Sequence, residues 1–176
     1  MLQGGPMLIT RFAKMVMVAA VSALAALVAF DNITDYGTNF AFVEHVMSMD
    51  TVSPSSSIKS RAIDNPGLHR AAYAIIIGAQ VLTAALCCIG AAMLLLHLRA
   101  PAGMFHRAKA VAISGLTLGF LTWQFGFMTV GGEWFGMWMS PQWNGVPSAF
   151  RFTIVIMAVL IFLAIPDDEV GYGPGA

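Results

Sequence analysis

The sequence predicts an all-α fold, a four-helix transmembrane bundle with two larger extracytoplasmic loops. Apolar residues make up 58% of the 176 residues and charged residues only 10%, whereas a soluble domain carries about 25% charged residues. Four apolar runs are also long enough to cross a hydrocarbon core of about 30 Å. Because backbone polar groups in lipid must pair within their own segment, each run is expected to be a helix.

The first predicted span covers residues 8–30, which as a helix would extend about 34 Å. Arg11 and Lys14 lie in its first turns, and their long side chains are expected to reach the headgroups. A basic start before an apolar run is also typical of a signal peptide. No A-x-A cleavage motif follows, so we interpret the segment as a retained helix.

The first predicted outer loop covers residues 31–69. Within it Phe40, Val43 and Met47 recur at i, i+3 and i+7, a spacing that predicts a short amphipathic helix on the membrane surface or on the bundle. A loop packed against helix ends is the open alternative, since prolines and serines follow.

The other predicted spans are residues 71–97, 109–130 and 147–165, with a second outer loop at residues 131–146. Residues 1–176 then form a single membrane domain with no room for a soluble catalytic domain. The tail that begins at Asp167 is acidic and then rich in glycine and proline, and it is expected to fray.

Positive charges give a weak orientation signal. Five lysines and arginines fall at the N-terminus and the second connection, against four on the opposite side. Cytoplasmic loops carry the excess of these residues. Both termini are therefore predicted to be cytoplasmic, in a bacterial inner membrane. The five are Arg11, Lys14, Arg99, Arg107 and Lys109, and the four are Lys59, Arg61, Arg70 and Arg151.

Small residues predict where helices touch, because helices in lipid associate through close fit. The third span contains Gly115-x-x-x-Gly119, and the first contains Ala19, Ser22, Ala23 and Ala26. Packing within the bundle is the favoured interpretation, and docking of a partner's helix is the alternative.

Gln80 and Gln124 are the strongest polar residues inside the predicted spans, since no ionisable residue lies near the middle of any span. This pattern argues against an ion pump or a proton-coupled transporter. The two glutamines are interpreted as hydrogen-bonding residues between helices, with a substrate contact as the alternative.

The outer loops carry a candidate polar cluster whose carboxylates and histidines could hold a divalent cation. Their spacing matches no ligand motif, so we predict no metal site and no catalytic residue. His45 lies in the first outer loop and the other three histidines lie near the ends of spans, so no pair of haem ligands projects from mid-membrane and no cofactor is expected. The zero net charge gives no indication of nucleic-acid binding. The cluster is Asp31, Asp35, Glu44, His45, His69 and Glu133.

The second outer loop is rich in aromatic residues, which gather at membrane interfaces and at protein–protein contacts. A lid packed on the bundle and a docking surface for a partner are both open interpretations. The candidate docking residues are Trp134, Phe135, Trp138 and Trp143.

Several stretches together resemble an uncharacterised bacterial family of predicted small integral membrane proteins. The resemblance covers nearly the whole chain. It implies four helices in an inner membrane, and no activity. The stretches are Asn32–Asp50, Gly131–Trp138, Trp143–Gly145, Arg151–Phe152 and Leu163–Glu169.

The favoured functional hypothesis is a non-catalytic accessory or structural subunit that docks onto a larger respiratory or oxidoreductase complex. Membrane lipids and either that complex or a second copy of the chain are the expected partners. A small-solute transporter or channel that uses Gln80, Thr83, Thr117 and Gln124 is one alternative. A membrane enzyme with its site in the outer loops is another.

Overall fold

The computed structural model describes residues 4–170, and within that range it contains helices and no strand. Four segments are long and apolar enough to cross a membrane. The predicted all-α bundle of four membrane helices is confirmed. In chain order the elements are α1 (Gly4–Thr34), α2 (Tyr36–Ser48), a 3-10 helix (Ser57–Arg61), α3 (Pro66–Leu96), α4 (Ala102–Phe120), a π-helix (Leu121–Trp134), a second 3-10 helix (Met137–Met139) and α5 (Val146–Ala164).

The connection predicted as residues 31–69 is shorter than expected, because α1 continues to Thr34 and α3 begins at Pro66. The Asn65 side chain accepts hydrogen bonds from the backbone N–H groups of Gly67 and Leu68. A capping side chain followed by a proline in the first turn is a strong helix start. This start places His69 inside α3 and not in a loop.

The amphipathic helix predicted around Val43 is confirmed as α2. Val43, Val46 and Met47 are buried in a small apolar core that also contains Tyr73 of α3. The helix therefore packs on the bundle. It ends at Met49, whose left-handed backbone (φ 51°) closes the last turn.

The third span is not a uniform α-helix, because α4 continues directly into the π-helix. The backbone N–H of Phe135 donates to the carbonyl of Val130, five residues earlier. The segment contains Gly126, Gly131 and Gly132. Glycine is conformationally permissive and favours a regular α-helix less than other residues do. π-Helical turns are rare and occur often at functional sites.

Helices α3 and α4 approach closely at glycines. A Cβ on Gly90 would lie 2.6 Å from the backbone of Ala112, and one on Gly115 would lie 2.8 Å from the backbone nitrogen of Cys87. The predicted contact role of Gly115 within the bundle is confirmed. Only atoms as small as glycine hydrogens fit here.

The predicted small-residue face of α1 is partly wrong. Ser22 is buried and donates to the carbonyl of Ala84 at 2.8 Å, but Ala23 and Ala26 are exposed. The buried stripe instead contains Val18 and Ala25, seven residues apart, as in coiled-coil packing. We call the end where α1 begins and α5 ends the terminal end, and the opposite end the loop end.

Candidate functional site

A cavity of about 320 Å³ lies in the loop-end half of the bundle. It is lined by α1, α2, α3, the π-helix, the segment that leads into α5 and the first turns of α5. We call it the polar cavity because six of its lining side chains carry an amide or a hydroxyl group. These are Asn32, Asn39, Tyr73, Gln80, Asn144 and Ser148.

Gln80 lies at the middle of α3 and is only 1% exposed. Its Oε1 accepts a hydrogen bond from Asn32 Nδ2 at 2.8 Å. The Tyr73 hydroxyl donates to the Asn32 carbonyl at 2.8 Å. The three side chains thus form a network between α1 and α3. The extension of α1 beyond its predicted end at residue 30 brings Asn32 into this network.

The Gln80 amide retains unused donors. Its Nε2 makes no hydrogen bond within residues 4–170, although an amide nitrogen can donate two. The Gln80 nitrogen is not among the fully buried atoms without a partner in the described chain, whereas Thr83 Oγ1 is. Because Gln80 lines the polar cavity and Thr83 does not, a molecule with acceptor oxygens in the cavity could accept a hydrogen bond from Gln80 alone of these two.

Aromatic side chains form much of the remaining wall. Trp123 and Phe152 lie 5.1 Å apart between ring centroids, and Phe127 and Phe42 also line the cavity. No Asp, Glu, Lys, Arg or His is among the described lining residues. A charged ligand would find no counter-charge there, so the cavity suits an uncharged one.

Gln124, the other predicted intramembrane polar residue, lies on a different face of the third span. It is half-buried and does not line the polar cavity. Its backbone carbonyl accepts a hydrogen bond from Thr129 Oγ1 at 3.1 Å. The two glutamines, equivalent in the sequence, are therefore separated by the fold.

The members of the predicted outer-loop cluster have different neighbours. His45 Nδ1 lies 2.5 Å from an Asp50 carboxylate oxygen, and its ring stacks on Trp143 at 4.4 Å. The buried His69 ring pairs with the Ile63 carbonyl at 2.6 Å. Across the described chain, no group of three His, Cys, Asp or Glu side chains could hold a metal ion. The other members are exposed or half-buried, namely Asp31, Asp35, Glu44 and Glu133.

The predicted docking aromatics differ in their exposure. Trp134 and Trp138 are each 53% exposed, whereas Phe135 is only 6% exposed. Phe135 packs in the core beneath α2 and is not available for docking. The Arg61 guanidinium carbon lies over the Trp134 ring, 4.8 Å from the ring centroid.

A second polar site lies at the terminal end and was not predicted. Lys14 and Lys109 both pair with the carboxylate of Asp167, and all three side chains are at most 1% exposed. Both ammonium groups also donate to the Ile165 carbonyl, at 2.6 and 2.8 Å. We call this group the charged lock.

The charged lock corrects two expectations. Arg11 and Lys14 do not extend to the headgroups: Arg11 is fully buried and donates to the carbonyls of Ala100 and Asp168 at 2.7 and 2.8 Å. The start of the acidic tail is held in place by Asp167, while residues 171–176 lie outside the described chain. The seven-residue spacing from Arg11 to Val18 could have indicated that Arg11 faces inward.

Asp167 has an altered pKa. Burial alone would raise the pKa of its carboxyl group, but hydrogen bonds and charge from Lys109 and Lys14 outweigh burial, and the pKa lies below its ordinary value. The carboxylate therefore stays ionised between the two lysines. The charged lock holds the chain after α5 against α1 and α4.

A family model described as "predicted small integral membrane protein (DUF2165)" matches residues 10–166. The chain belongs to this family. The resemblance of its loop sequences is thereby confirmed. No curated protein and no solved structure matches the chain.

Family membership agrees with the four membrane-spanning segments and gives the chain's setting as a lipid bilayer. The family description does not name an activity. The two polar sites of this small integral membrane protein differ in what they leave unpaired. In the charged lock both lysines pair with Asp167, whereas the polar cavity keeps a free donor on Gln80.

Proposed function

We propose that this protein binds a small uncharged molecule, or an uncharged head group, in the polar cavity. The ligand would present carbonyl or hydroxyl oxygens. The observation that carries the proposal is the free Gln80 amide at the middle of α3, inside a cavity of about 320 Å³. Ligand pockets combine apolar and aromatic walls with a few convergent polar groups in this way.

The chemistry of Gln80 favours a bound partner. Its amide nitrogen has no hydrogen-bond partner in the described chain and is not one of the fully buried atoms, so it is accessible from the cavity. Polar residues at membrane depth are rare, and a ligand oxygen could accept a hydrogen bond from Gln80 Nε2. The aromatic rings of Trp123 and Phe152 would contact its apolar part.

The same geometry supports movement of a solute as well as binding. The cavity runs from the loop-end residues Asn39 and Asn144 down to Gln80. Thr117 is exposed, and neither Gln124 nor the fully buried Thr83 lines the cavity. Of the four predicted pore residues, a pore through this cavity would therefore use Gln80.

The experiment is to purify the protein from its native membranes in mild detergent and to identify solvent-extracted molecules by mass spectrometry. We expect an uncharged species at near-stoichiometric amount. Gln80→Leu removes the free donor and should lower the bound amount about tenfold, as the loss of one or two hydrogen bonds in an apolar site would. Ser148→Trp, at an exposed lining position, should obstruct the cavity and have the same effect.

Gln124→Leu is the matched control, since it makes the same chemical change outside the polar cavity. It should retain the ligand at the wild-type amount. Equal ligand content in the wild type and in Gln80→Leu would contradict the proposal.

A second candidate function is the accessory subunit of a larger respiratory or oxidoreductase complex in a bacterial inner membrane, with both termini cytoplasmic. The observation that favours it is the exposure of Trp134, at the end of the π-helix, and of Trp138, in the connection from there to α5. Tryptophan contributes strongly to protein interfaces. A homo-oligomer would use the same surface.

This candidate is tested by the composition of the complex extracted in mild detergent. A stoichiometric partner with redox cofactors, lost in a Trp134→Ala, Trp138→Ala double variant, would support it. Trp143→Phe is the control, because Trp143 stacks on His45 within the protein. A species that contains only this chain, or an unchanged complex in the double variant, would contradict it.

A further inference from the structure

A second cavity of about 360 Å³ lies between α2, α3 and the π-helix. Its described lining is almost entirely apolar. Ile75 and Phe125 form part of it and are 71% and 59% exposed. In a membrane these side chains face the hydrocarbon, so the cavity is a groove that opens sideways into the bilayer. We call it the apolar groove.

The apolar groove and the polar cavity are adjacent. Four side chains line both of them and mark the boundary at which they meet: Phe42, Val43, Ile76 and Phe127. Hydrogen-bonding groups thus lie on one side of this boundary and a lipid-facing apolar surface lies on the other. An amphipathic molecule has these two properties in its head and its chain.

We infer that the ligand is an uncharged lipid, with its head in the polar cavity and its hydrocarbon chain in the apolar groove. The inference rests on the proposed function and names the class of molecule that it concerns. The head is uncharged because the described cavity lining carries no counter-charge. The chain enters from the side because the groove opens between exposed residues of α3 and the π-helix.

The two halves of the site contribute differently. A hydrocarbon chain gains little by leaving the bilayer for the groove, since lipid tails are as apolar as the groove wall. The head supplies most of the binding free energy through Gln80. The groove fixes the position of the chain, so a side chain that fills it should act through steric exclusion.

Gly126 allows such a substitution. It lines the apolar groove, and a Cβ built on it would meet nothing within 4 Å. Gly126→Leu therefore fills the groove without a backbone clash. Gly78→Leu is the matched control, because Gly78 is also exposed with nothing within 4 Å and lines neither cavity.

The probe is a monoacylglycerol with a photoreactive diazirine in its chain, added to phosphatidylcholine vesicles that contain the full-length protein. We expect crosslinks in the segments 72–76 and 125–131. Gly126→Leu and Gln80→Leu should each reduce them about tenfold. Gly78→Leu and Gln124→Leu should leave them unchanged. A fatty acid with the same chain and a charged carboxylate should not compete.

The outcomes separate this inference from the proposed function. Labelling that depends on Gln80 but not on Gly126, or that maps outside the groove, would overturn the two-part site and leave the polar cavity as a binding site. Labelling of the groove that is independent of Gln80, or equal competition by the fatty acid, would show that chains bind without head recognition. The lipid inference would then be wrong, and the Gln80-dependent ligand content of the native protein would still test the proposed function.

Discussion

The two ends of this bundle handle buried polar groups in opposite ways. At the terminal end, the charged side chains of Lys14, Lys109 and Asp167 are buried, and both lysines pair with Asp167. At the loop end, Gln80 and Asn32 are neutral and buried, and Gln80 keeps free donors toward a cavity. A paired charge cluster has completed its interactions and holds the fold, whereas a neutral site with free donors is available to a ligand.

The largest expected effect is at the charged lock. Asp167→Ala leaves two buried lysines without their carboxylate, and removal of one partner of a buried pair costs about 3–5 kcal/mol. Thermal unfolding in detergent should show a large loss of stability. Asp168→Ala is the control, since the Asp168 side chain is exposed. If both variants unfold alike, the charged lock does not stabilise the bundle.

Acid should weaken the same end reversibly. The pKa of Asp167 is lowered from its ordinary value of 3.8, so the native state prefers the ionised carboxylate. The resulting stability is present above the ordinary pKa and is lost as the pH falls through the native pKa. The unfolding midpoint should therefore fall in acid. The fall should be smaller in Asp167→Asn, and an identical fall would exclude Asp167 as the titrating group.

The contact between α3 and α4 at Gly90 should be sensitive to the size of the side chain placed there. Gly90→Ala places a Cβ where it would lie 2.6 Å from the Ala112 backbone. Overpacking of this kind costs about 1–3 kcal/mol, which a detergent unfolding measurement would detect. Gly78→Ala, with nothing within 4 Å, should not destabilise the protein. Equal stability of the two variants would contradict the close approach of α3 and α4.

The smallest effect on stability is expected at the polar cavity. Gln80→Leu removes one hydrogen bond with Asn32, and such bonds in membranes contribute about 0.6 kcal/mol on average. Stability should therefore change by less than about 1 kcal/mol while ligand content falls. A large loss of stability in this variant would show that Gln80, like Asp167, mainly stabilises the fold.

Local sequence features predicted much of this molecule. The apolar runs predicted four membrane helices, and the spacing of Phe40, Val43 and Met47 predicted α2. Gln80 was identified as a polar residue within a span. Each of these features depends on residues close together in the chain, where helical periodicity is sufficient.

The polar sites could not be predicted in the same way. The position of Arg11 and Lys14 near a helix end predicts that they lie at the membrane–water interface, yet both side chains are buried in the bundle. Asp167 lies more than 150 residues from Lys14 along the chain. Pairing across that separation depends on how each helix is rotated and on where α5 ends.

Hydrophobicity and the helical repeat are local properties, so the bundle of four membrane helices follows from the sequence without knowledge of the fold. Which polar residues meet depends on the assembled bundle. It separated Gln80 from Gln124, joined Lys14 and Lys109 through Asp167, and placed an apolar groove beside a polar cavity. The physical reason is that contacts between helices follow from their rotation and crossing, which close packing at residues such as Gly90 and Gly115 sets only when the whole bundle assembles.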